Sequence, residues 1–351
     1  MESSRAARRR ARRFPRRPLM YTALACVTVV GATAGGTVYV KARAHSGSTV
    51  VSSAATPAVS SSSAATPAVS SSSAATPAVS SSSATTTEEA AMAEPVVDLD
   101  ERLADAMTSV GVTGEQKVST AVLDLESGDS AVHGDGAFDT ASIVKVDILA
   151  ALLLRHQEAG TRLSAREKAY ATTMIENSDN ASASALWDAI GRAAGLDAAN
   201  ETFGLTGTEG GDGALWGLTL TTAADQLILL QQVFGDDSKL SEASRSYVQG
   251  LMGRIEADQQ WGVSAAADGS GWALKNGWLP RSTTGLWDVN SIGRVSVDGR
   301  AYLVAVLSNG NSTQAKGISL VEAAAKAAVS VFTAGDASAS ASANATSAAA
   351  R

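Results

Sequence analysis

The sequence predicts an α+β fold, an antiparallel β-sheet flanked by helices with an adjoining helical lobe, confined to about residues 96–334 of the 351. Three observations predict it. Strand-like segments lie at both ends of that stretch, helical patterns fill its middle, and the flanking composition changes so sharply that roughly the first 95 residues and the last 16 cannot form a core. Strands at both ends imply one sheet closed by N- and C-terminal segments, with the helical lobe beside it. A groove between sheet and lobe is the natural place for a site.

The chain opens with Arg5, Arg8, Arg9, Arg10, Arg12, Arg13, Arg16 and Arg17 against a single Glu2, a local charge of +7 in a chain of net −7, which leaves −14 for the remainder. Basic character confined to residues 1–18 excludes a general nucleic-acid surface. "LMYTALACVTVVGATAGGTVYV", residues 19–40, carries no charge; at about 1.5 Å per residue it is long enough to cross a ~30 Å hydrocarbon layer. The arginines would stay in the cytoplasm, sending the rest of the chain outside. The length favours a transmembrane anchor; the competing reading is a signal segment cleaved near Ala42-Arg43-Ala44. The expected location is therefore the cell membrane, single-pass with an extracytoplasmic C-terminal domain, or secreted if cleaved near Ala44. Cys26, the only cysteine, lies inside the apolar run, where Ala23 stands in place of the leucine that lipid attachment would want. No disulfide within the chain is possible, so the exported domain must be stabilised by packing alone. Residues 51–83 repeat "SSAATPAVSS" with a period of ten; each unit lacks an apolar face to stack, so 41–95 reads as a disordered linker and not a solenoid. The tail, 335–351, reads as disordered by composition.

Within 96–334, "VDLDERLADAMTSV" places Leu99, Leu103, Met107 and Val110 on one helical face. "VSTAVLDLESGDSAVHG" gives two short strands joined at Ser127-Gly128. An apolar helix follows over about 142–158. "KAYATTMIENSDNASASALWDAIG" supplies two helical segments broken at Asn177–Asn180, and "TTAADQLILLQQVFG" another, capped by Thr222. "GWALKNGW", "WDVNSIGRVSV" and "AYLVAVLSN" are strand-like, the last two joined by a tight turn at Asp298-Gly299. A final helix over about 314–332 carries Ile318, Leu320, Val321, Ala325 and Val329.

Three places carry chemistry. Ser142 and Lys145 stand at i and i+3, neighbours on one helical face. A serine near a helix start lies at the positive end of the dipole, and a lysine deprived of water can serve as the base that a serine hydroxyl needs. The plainer reading is a helix cap and a lysine reaching to solvent. Ser178-Asp179-Asn180 is either a helix N-cap or a polar loop pointing into a cleft. Lys275-Asn276-Gly277 contains the hairpin signal Asn-Gly, but the strand that should follow contains Pro280 and fades. A strand running on through the motif fits better, with Lys275 facing a substrate carboxylate and the glycine letting a ligand lie along the edge.

Together the three resemble the S-x-x-K, S-D-N and K-T-G set of class A β-lactamases and penicillin-binding proteins, in the same order and in the same settings of helix start, inter-helix loop and strand edge. The resemblance covers nearly all of 96–334. It implies that Ser142 is the acylated nucleophile, Lys145 its base or proton relay, and Ser178 the proton shuttle to the departing nitrogen. Asn180 would hold the substrate's side-chain amide. Lys275 would bind the substrate carboxylate while keeping Lys145 low in pKa, and Asn276, Gly277 and Trp278 would be further substrate-binding positions. The oxyanion hole would be the N–H groups of Ser142 and Trp278.

Three departures qualify the likeness. Asn276 replaces a usual Thr or Ser. Only 35 residues separate Ser142 from Ser178, roughly two dozen fewer than is usual in class A enzymes. The E-x-x-L-N motif whose Glu activates the deacylating water is missing from "ETFGLTGTEGGDGALWGLTL", residues 201–220, where Glu201, Glu209 and Asp212 are the only acids and read as solvated loop charges. Acylation is thus supported and rapid deacylation is not. The favoured function is a β-lactamase-like serine hydrolase; the alternatives are a penicillin-binding-type DD-peptidase acting on peptidoglycan stem peptides and a slowly turning over envelope sensor. The partners expected are a β-lactam or peptidoglycan-derived small substrate and, through the N-terminal helix, a membrane, with no nucleic acid and a monomeric state. His45, His133 and His156 form no metal-like cluster, and no cofactor is implied. His156, ending the nucleophile helix, would suit the dipole as a cation. Trp278 and Trp287 lie beside the expected site, with core packing an equal explanation for both.

Overall fold

The computed structural model describes residues 98–349, with side chains to Thr333. The basic segment, the apolar run with Cys26, the site near Ala44, His45 and the repeat linker lie outside the described residues. Among the described residues no helix is long and apolar enough to cross a membrane.

The chain enters through α1 (Leu99–Met107), whose N-cap Asp98 accepts hydrogen bonds from the backbone N–H of Asp100 and Glu101 and which buries Leu103 and Met107. Strands β1 (Lys117–Asp124) and β2 (Ser130–His133) form the expected antiparallel pair. A short β3 (Phe138–Asp139) leads into a 3₁₀ turn, Ala141–Ile143, and then α2 (Val144–Glu158). Residues Val144 to Leu154 of α2 are buried without interruption. A helix apolar on all sides belongs inside, and α2 is accordingly wrapped by α3 (Ala165–Glu176), α4 (Asn180–Ile190), α5 (Arg192–Phe203) and, farther along, α7 (Glu242–Met252). A short β4 (Leu220–Thr221) pairs with β3 ahead of α6 (Ala223–Phe234), which Thr222 caps as expected by accepting from the N–H of Asp225.

The last third builds the sheet: β5 (Trp272–Pro280), β6 (Trp287–Val297) and β7 (Arg300–Asn311), antiparallel, in the order β2-β1-β7-β6-β5. Asp298 and Gly299 both have positive φ, 50° and 79°, as a two-residue type I′ hairpin demands. Side chains alternate along β7. Tyr302, Val304 and Val306 join the core shared with α1 and α8 (Gln314–Ala349), while Leu303, Ala305 and Leu307 join the core shared with α2 and α6. The sheet is thus buried on both faces, and β5 is the edge strand beside the helical lobe.

Three features differ from the sequence expectation. Helix α5 buries Leu196, Ala199, Asn200 and Phe203, a regular i, i+3, i+4, i+7 face, but one of the four is polar and one is small, so the apolar stripe is faint. Helix α7 shows the same geometry in Val248, Leu251 and Met252, with Ser241 as N-cap. The final helix passes its expected end near 332, and the tail expected to be disordered carries helical backbone to Ala349; its Ala-rich composition has the highest intrinsic helix propensity.

Candidate active site

The nucleophile turn is clamped from three sides. Its entry is held by pairing of Phe138 with Thr221 and Asp139 with Leu220, continued by the Thr140 N–H donating to the Thr219 carbonyl at 2.9 Å. From β6, the buried Asn290 donates Nδ2 to the carbonyls of Asp139 (2.9 Å) and Thr140 (3.0 Å) while its Oδ1 accepts from the Ser308 N–H at 3.0 Å. From β5, Gly277 comes so close that a Cβ there would lie 2.6 Å from the Ser142 nitrogen and 2.7 Å from the Thr140 carbonyl oxygen. The glycine is therefore needed for the approach of β5 to the turn, a requirement that the sequence reading of ligand access did not include. Ala141 takes φ 48° at the turn, a conformation that costs an L-residue and is held here by these clamps. Arg281, just past β5, adds an ion pair to Asp139 and another to Asp288 at 2.7 Å.

Lys145 is fully buried and turns back toward Ser142. Its Nζ lies 2.9 Å from Ser142 Oγ, 2.7 Å from the Ser178 carbonyl, 3.0 Å from Ser178 Oγ and 2.8 Å from Asn180 Oδ1. Four acceptors exceed the three N–H bonds of an ammonium; a neutral amine donates two and turns a lone pair toward a hydroxyl proton. Burial pulls the Lys145 pKa down to about 7, against the opposing attraction of Asp179. The ring of Trp216 stands over the amine, 5.0 Å from Nζ to centroid.

The Ser178-Asp179-Asn180 loop reconciles both of its sequence readings. Asp179 is the N-cap of α4, accepting from the Ser182 N–H at 2.7 Å, and Ser182, through its side chain first and its backbone N–H second, holds the Asp179 carboxyl below the usual range. Its neighbours point the other way: Ser178, at φ 56°, and Asn180 both reach Lys145. Lys275, also fully buried, donates to Ser178 Oγ at 3.0 Å and to the Asn276 carbonyl at 2.9 Å. Ser178 Oγ thus bridges two amines. Burial first, and the charge of Lys145 second, push the Lys275 pKa far down. The low pKa of Lys145 therefore has burial as its cause, where the sequence reading credited Lys275.

Asn276 departs from its expected place. Side chains alternate along a strand, so Lys275 and Gly277 face the nucleophile turn while Asn276 faces away, donating Nδ2 to the carbonyls of Gln259 (2.7 Å) and Trp261 (2.9 Å). The Trp278 ring leaves the same way and tilts against Trp261 at 5.8 Å. Trp287 packs into the core shared with α1 and α8. Gln259 then donates Nε2 to the Asn177 carbonyl at 3.2 Å, linking β5 to the Ser178 loop. Neither Gln259 nor Asn290 carries a motif signal. His156 is bonded to Thr161 and Glu167 at the far end of α2.

Of the three acids between residues 201 and 220, Glu201 on α5 and Glu209 and Asp212 in the loop between α5 and α6, none reaches Ser142 or Lys145 by a hydrogen bond or ion pair among the described residues. Glu209 exchanges backbone hydrogen bonds with Leu220, both 2.9 Å, and its side chain is exposed, as are Glu201 and Asp212. The loop is shaped by acids outside it: Asp225 accepts from the Gly207 N–H and Thr208 Oγ1, and Asp197 from the Gly210 N–H.

Comparisons with known proteins fit this geometry. A beta-lactamase from Xanthomonas campestris pv. campestris matches with a TM-score of 0.54 at 21% identity, covering 66% of this chain and 98% of its own. A representative of class A beta-lactamase from Bacteroides cellulosilyticus gives 0.59 at 14%, covering 68% and 100%. A mutant of PBP-A, solved as an acyl-enzyme complex with penicillin G, gives 0.56 at 20%, covering 66% and 96%. At such identities the likeness establishes the fold. A search of curated proteins found no match. The family model described as "Beta-lactamase enzyme family" matches residues 153–332, just over half of the chain and all of it downstream of Ser142 and Lys145. Both the body of the domain and its architecture thus lead to one conclusion: this chain belongs to the beta-lactamase enzyme family.

Proposed function

We propose that the protein is an exported, monomeric serine hydrolase of the class A β-lactamase-like type, acylated at Ser142 by β-lactams or related amides. The observation that carries this reading is the Lys145 amine, 2.9 Å from Ser142 Oγ with its pKa brought down to about 7. In the first half-reaction neutral Lys145 takes the Ser142 proton as Oγ bonds to the carbonyl carbon. The carbon–nitrogen bond then breaks, and Ser178 hands the nitrogen a proton replaced from Lys145. In the second, water adds to the ester carbon as Lys145 takes one of its protons and returns it to Ser142 Oγ when the carbon–Oγ bond breaks, and the product leaves as a carboxylate with its remaining proton passing to solvent. The N–H groups of Ser142 and Trp278 stabilise the oxyanion in both steps. Asn180 receives the substrate's side-chain amide, and Lys275 its carboxylate, whose charge favours the ammonium form of the lysine.

The test is intact-mass spectrometry of the full-length protein mixed with benzylpenicillin and sampled over time, with Ser142→Ala alongside. An adduct that forms and clears, absent from the variant, is the expected result; absence of any adduct overturns the assignment. The exposure of Glu201, Glu209 and Asp212, none of them bonded to Ser142 or Lys145 among the described residues, favours the second reading, a DD-peptidase on stem peptides, and an adduct persisting for hours would select it. The apolar run at 19–40 supports retention in the membrane with the domain outside. Protease treatment of intact cells should then degrade the domain, and its protection would refute export.

A further inference from the structure

We propose that Trp216 is a positioning residue that roofs Lys145, keeping solvent off the base and so prolonging the acyl-enzyme. The lifetime part rests on the acylation assigned above; the roofing part does not.

The roof is built, not merely placed. Trp216 opens a 3₁₀ turn, Trp216–Leu218, that packs on the turn holding Ser142. Its indole Nε1 donates to Ser184 Oγ on α4 at 3.1 Å, fixing the ring plane. Behind it the loop folds tightly. Gly211 lies where a Cβ would come within 2.1 Å of the Leu215 carbonyl oxygen, its N–H donates to the buried Thr219 Oγ1 at 3.1 Å, and Trp187 Nε1 holds the Gly213 carbonyl at 2.8 Å. The ring is therefore held from α4 and from its own loop, over an amine that has Ser142, Ser178 and Asn180 on its other sides.

Two effects of the ring oppose each other. Its face attracts an ammonium, which favours the charged lysine, while its bulk displaces water, which favours the neutral one. The Lys145 pKa is lowered, with burial as the first cause, so exclusion of water dominates. The same exclusion acts on deacylation. Hydrolysis needs a water that attacks the ester carbon and yields a proton to a base, and with the loop acids turned to solvent the nearest base is Lys145 itself. Water approaching it from the loop side meets an indole flanked by the half-buried Leu218 and the exposed Leu215.

The experiment compares Trp216→Ala and Trp216→Phe with the wild-type protein in two readouts. The first is the Lys145 titration midpoint, followed by the ¹³Cε resonance in ¹³C-lysine-labelled protein and assigned with Lys145→Arg. The second is the lifetime of the benzylpenicillin adduct on the alkaline plateau of each variant. In Trp216→Ala the midpoint should rise by about one pH unit or more and the adduct should clear about tenfold faster; Trp216→Phe, which keeps a flat apolar cover, should preserve both. A folded alanine variant whose midpoint stays put overturns the proposal, as does one whose midpoint rises while the adduct lifetime is unchanged. Should the wild-type protein form no adduct, the functional assignment falls by itself, and the titration still decides whether Trp216 roofs Lys145.

Discussion

Lys145 and Asp147 lie two residues apart on α2 and are pushed in opposite directions by the same burial. If Lys145 is the base in the proposed acylation, only its neutral form activates Ser142, and acylation should climb about tenfold per pH unit below pH 7 and level off above it, following the Lys145 pKa of about 7. Stopped-flow acylation by a chromogenic cephalosporin across pH 5–9 measures this, and a flat profile would remove Lys145 as the base. Lys145→Met should lose about 10²-fold to 10⁴-fold in acylation rate while gaining stability at pH 6, because the native state no longer holds a charge away from water. Asp147 has its pKa raised to about 8, chiefly by full burial, with Asp197 and Asp225 nearby adding to the rise and Asn200 opposing it. The Asn200 amide is oriented with Nδ2 toward both carboxyl oxygens, at 3.0 and 3.2 Å. The native state keeps this proton up to about pH 8, whereas the unfolded chain sheds it near pH 4. Between those values the native state binds more protons, so this group's contribution to stability falls as pH rises. Asp147→Asn should cancel that slope, and its thermal midpoint should exceed the wild-type value by more at pH 7.5 than at pH 5; an equal difference at both would contradict the assignment. Sequence alone exposed Ser142 and Lys145 through their spacing, but Asp147 reads as one more polar residue until its surroundings are known.

At the scale of elements, strand β5 decides how the third motif works. Its continuation past Asn276-Gly277 was legible because the residues beyond the turn signal do not make a partner strand. The face of each side chain was also legible in principle. Period two sends Lys275 and Gly277 one way and Asn276 the other, yet the reading by resemblance gave all three to the substrate. What no pattern contained is the distance from Gly277 to the nucleophile turn, which depends on three segments far apart in sequence. Gly277→Ala would place a methyl group 2.6 Å from one backbone atom and 2.7 Å from another, neither able to rotate aside. The strand must retreat from Ser142, which separates the two oxyanion donors. The expected outcome is a stability loss of about 1–3 kcal/mol with acylation slowed about 10²-fold or more. Denaturant unfolding and acylation kinetics check the two effects separately, and near-wild-type acylation would show that the close approach is dispensable. Helices α5 and α7 were illegible for a different reason: each buries a narrow face interrupted by small or polar residues, and tertiary packing supplies the stability that local periodicity does not announce.

Across the whole molecule, the first and last parts of the domain are one structural unit. Eight consecutive positions of β1, from Lys117 opposite Asn309 to Asp124 opposite Tyr302, are paired with β7, and the Arg300 guanidinium pairs with the buried Asp124 across the same junction. Strand β1 also covers one edge of β7 and contributes Val122 to one core and Leu123 to the other. The site is built on the opposite edge of this sheet, where β5 meets α2, so it depends on a pairing made at a distance from it. A fragment beginning at Pro95 keeps every described element. It should unfold in one cooperative transition and acylate at the rate of the full-length protein, because Ser142, Lys145, Ser178, Asn180 and Lys275 and every element that holds them lie within it. A fragment beginning after Asp124 loses α1 and β1 together, leaves strand β2 and the β7 edge from Tyr302 to Asn309 without their partner, and removes burial comparable with a typical stability margin of about 5–15 kcal/mol. It should neither unfold cooperatively nor form an adduct, although Ser142, Lys145, Ser178 and Lys275 are all still present in it. Adduct formation by the shorter fragment would mean that the helical lobe and the β5–β7 hairpins assemble the site without the closing strand, and that the pairing of the two ends stabilises the domain without organising its chemistry.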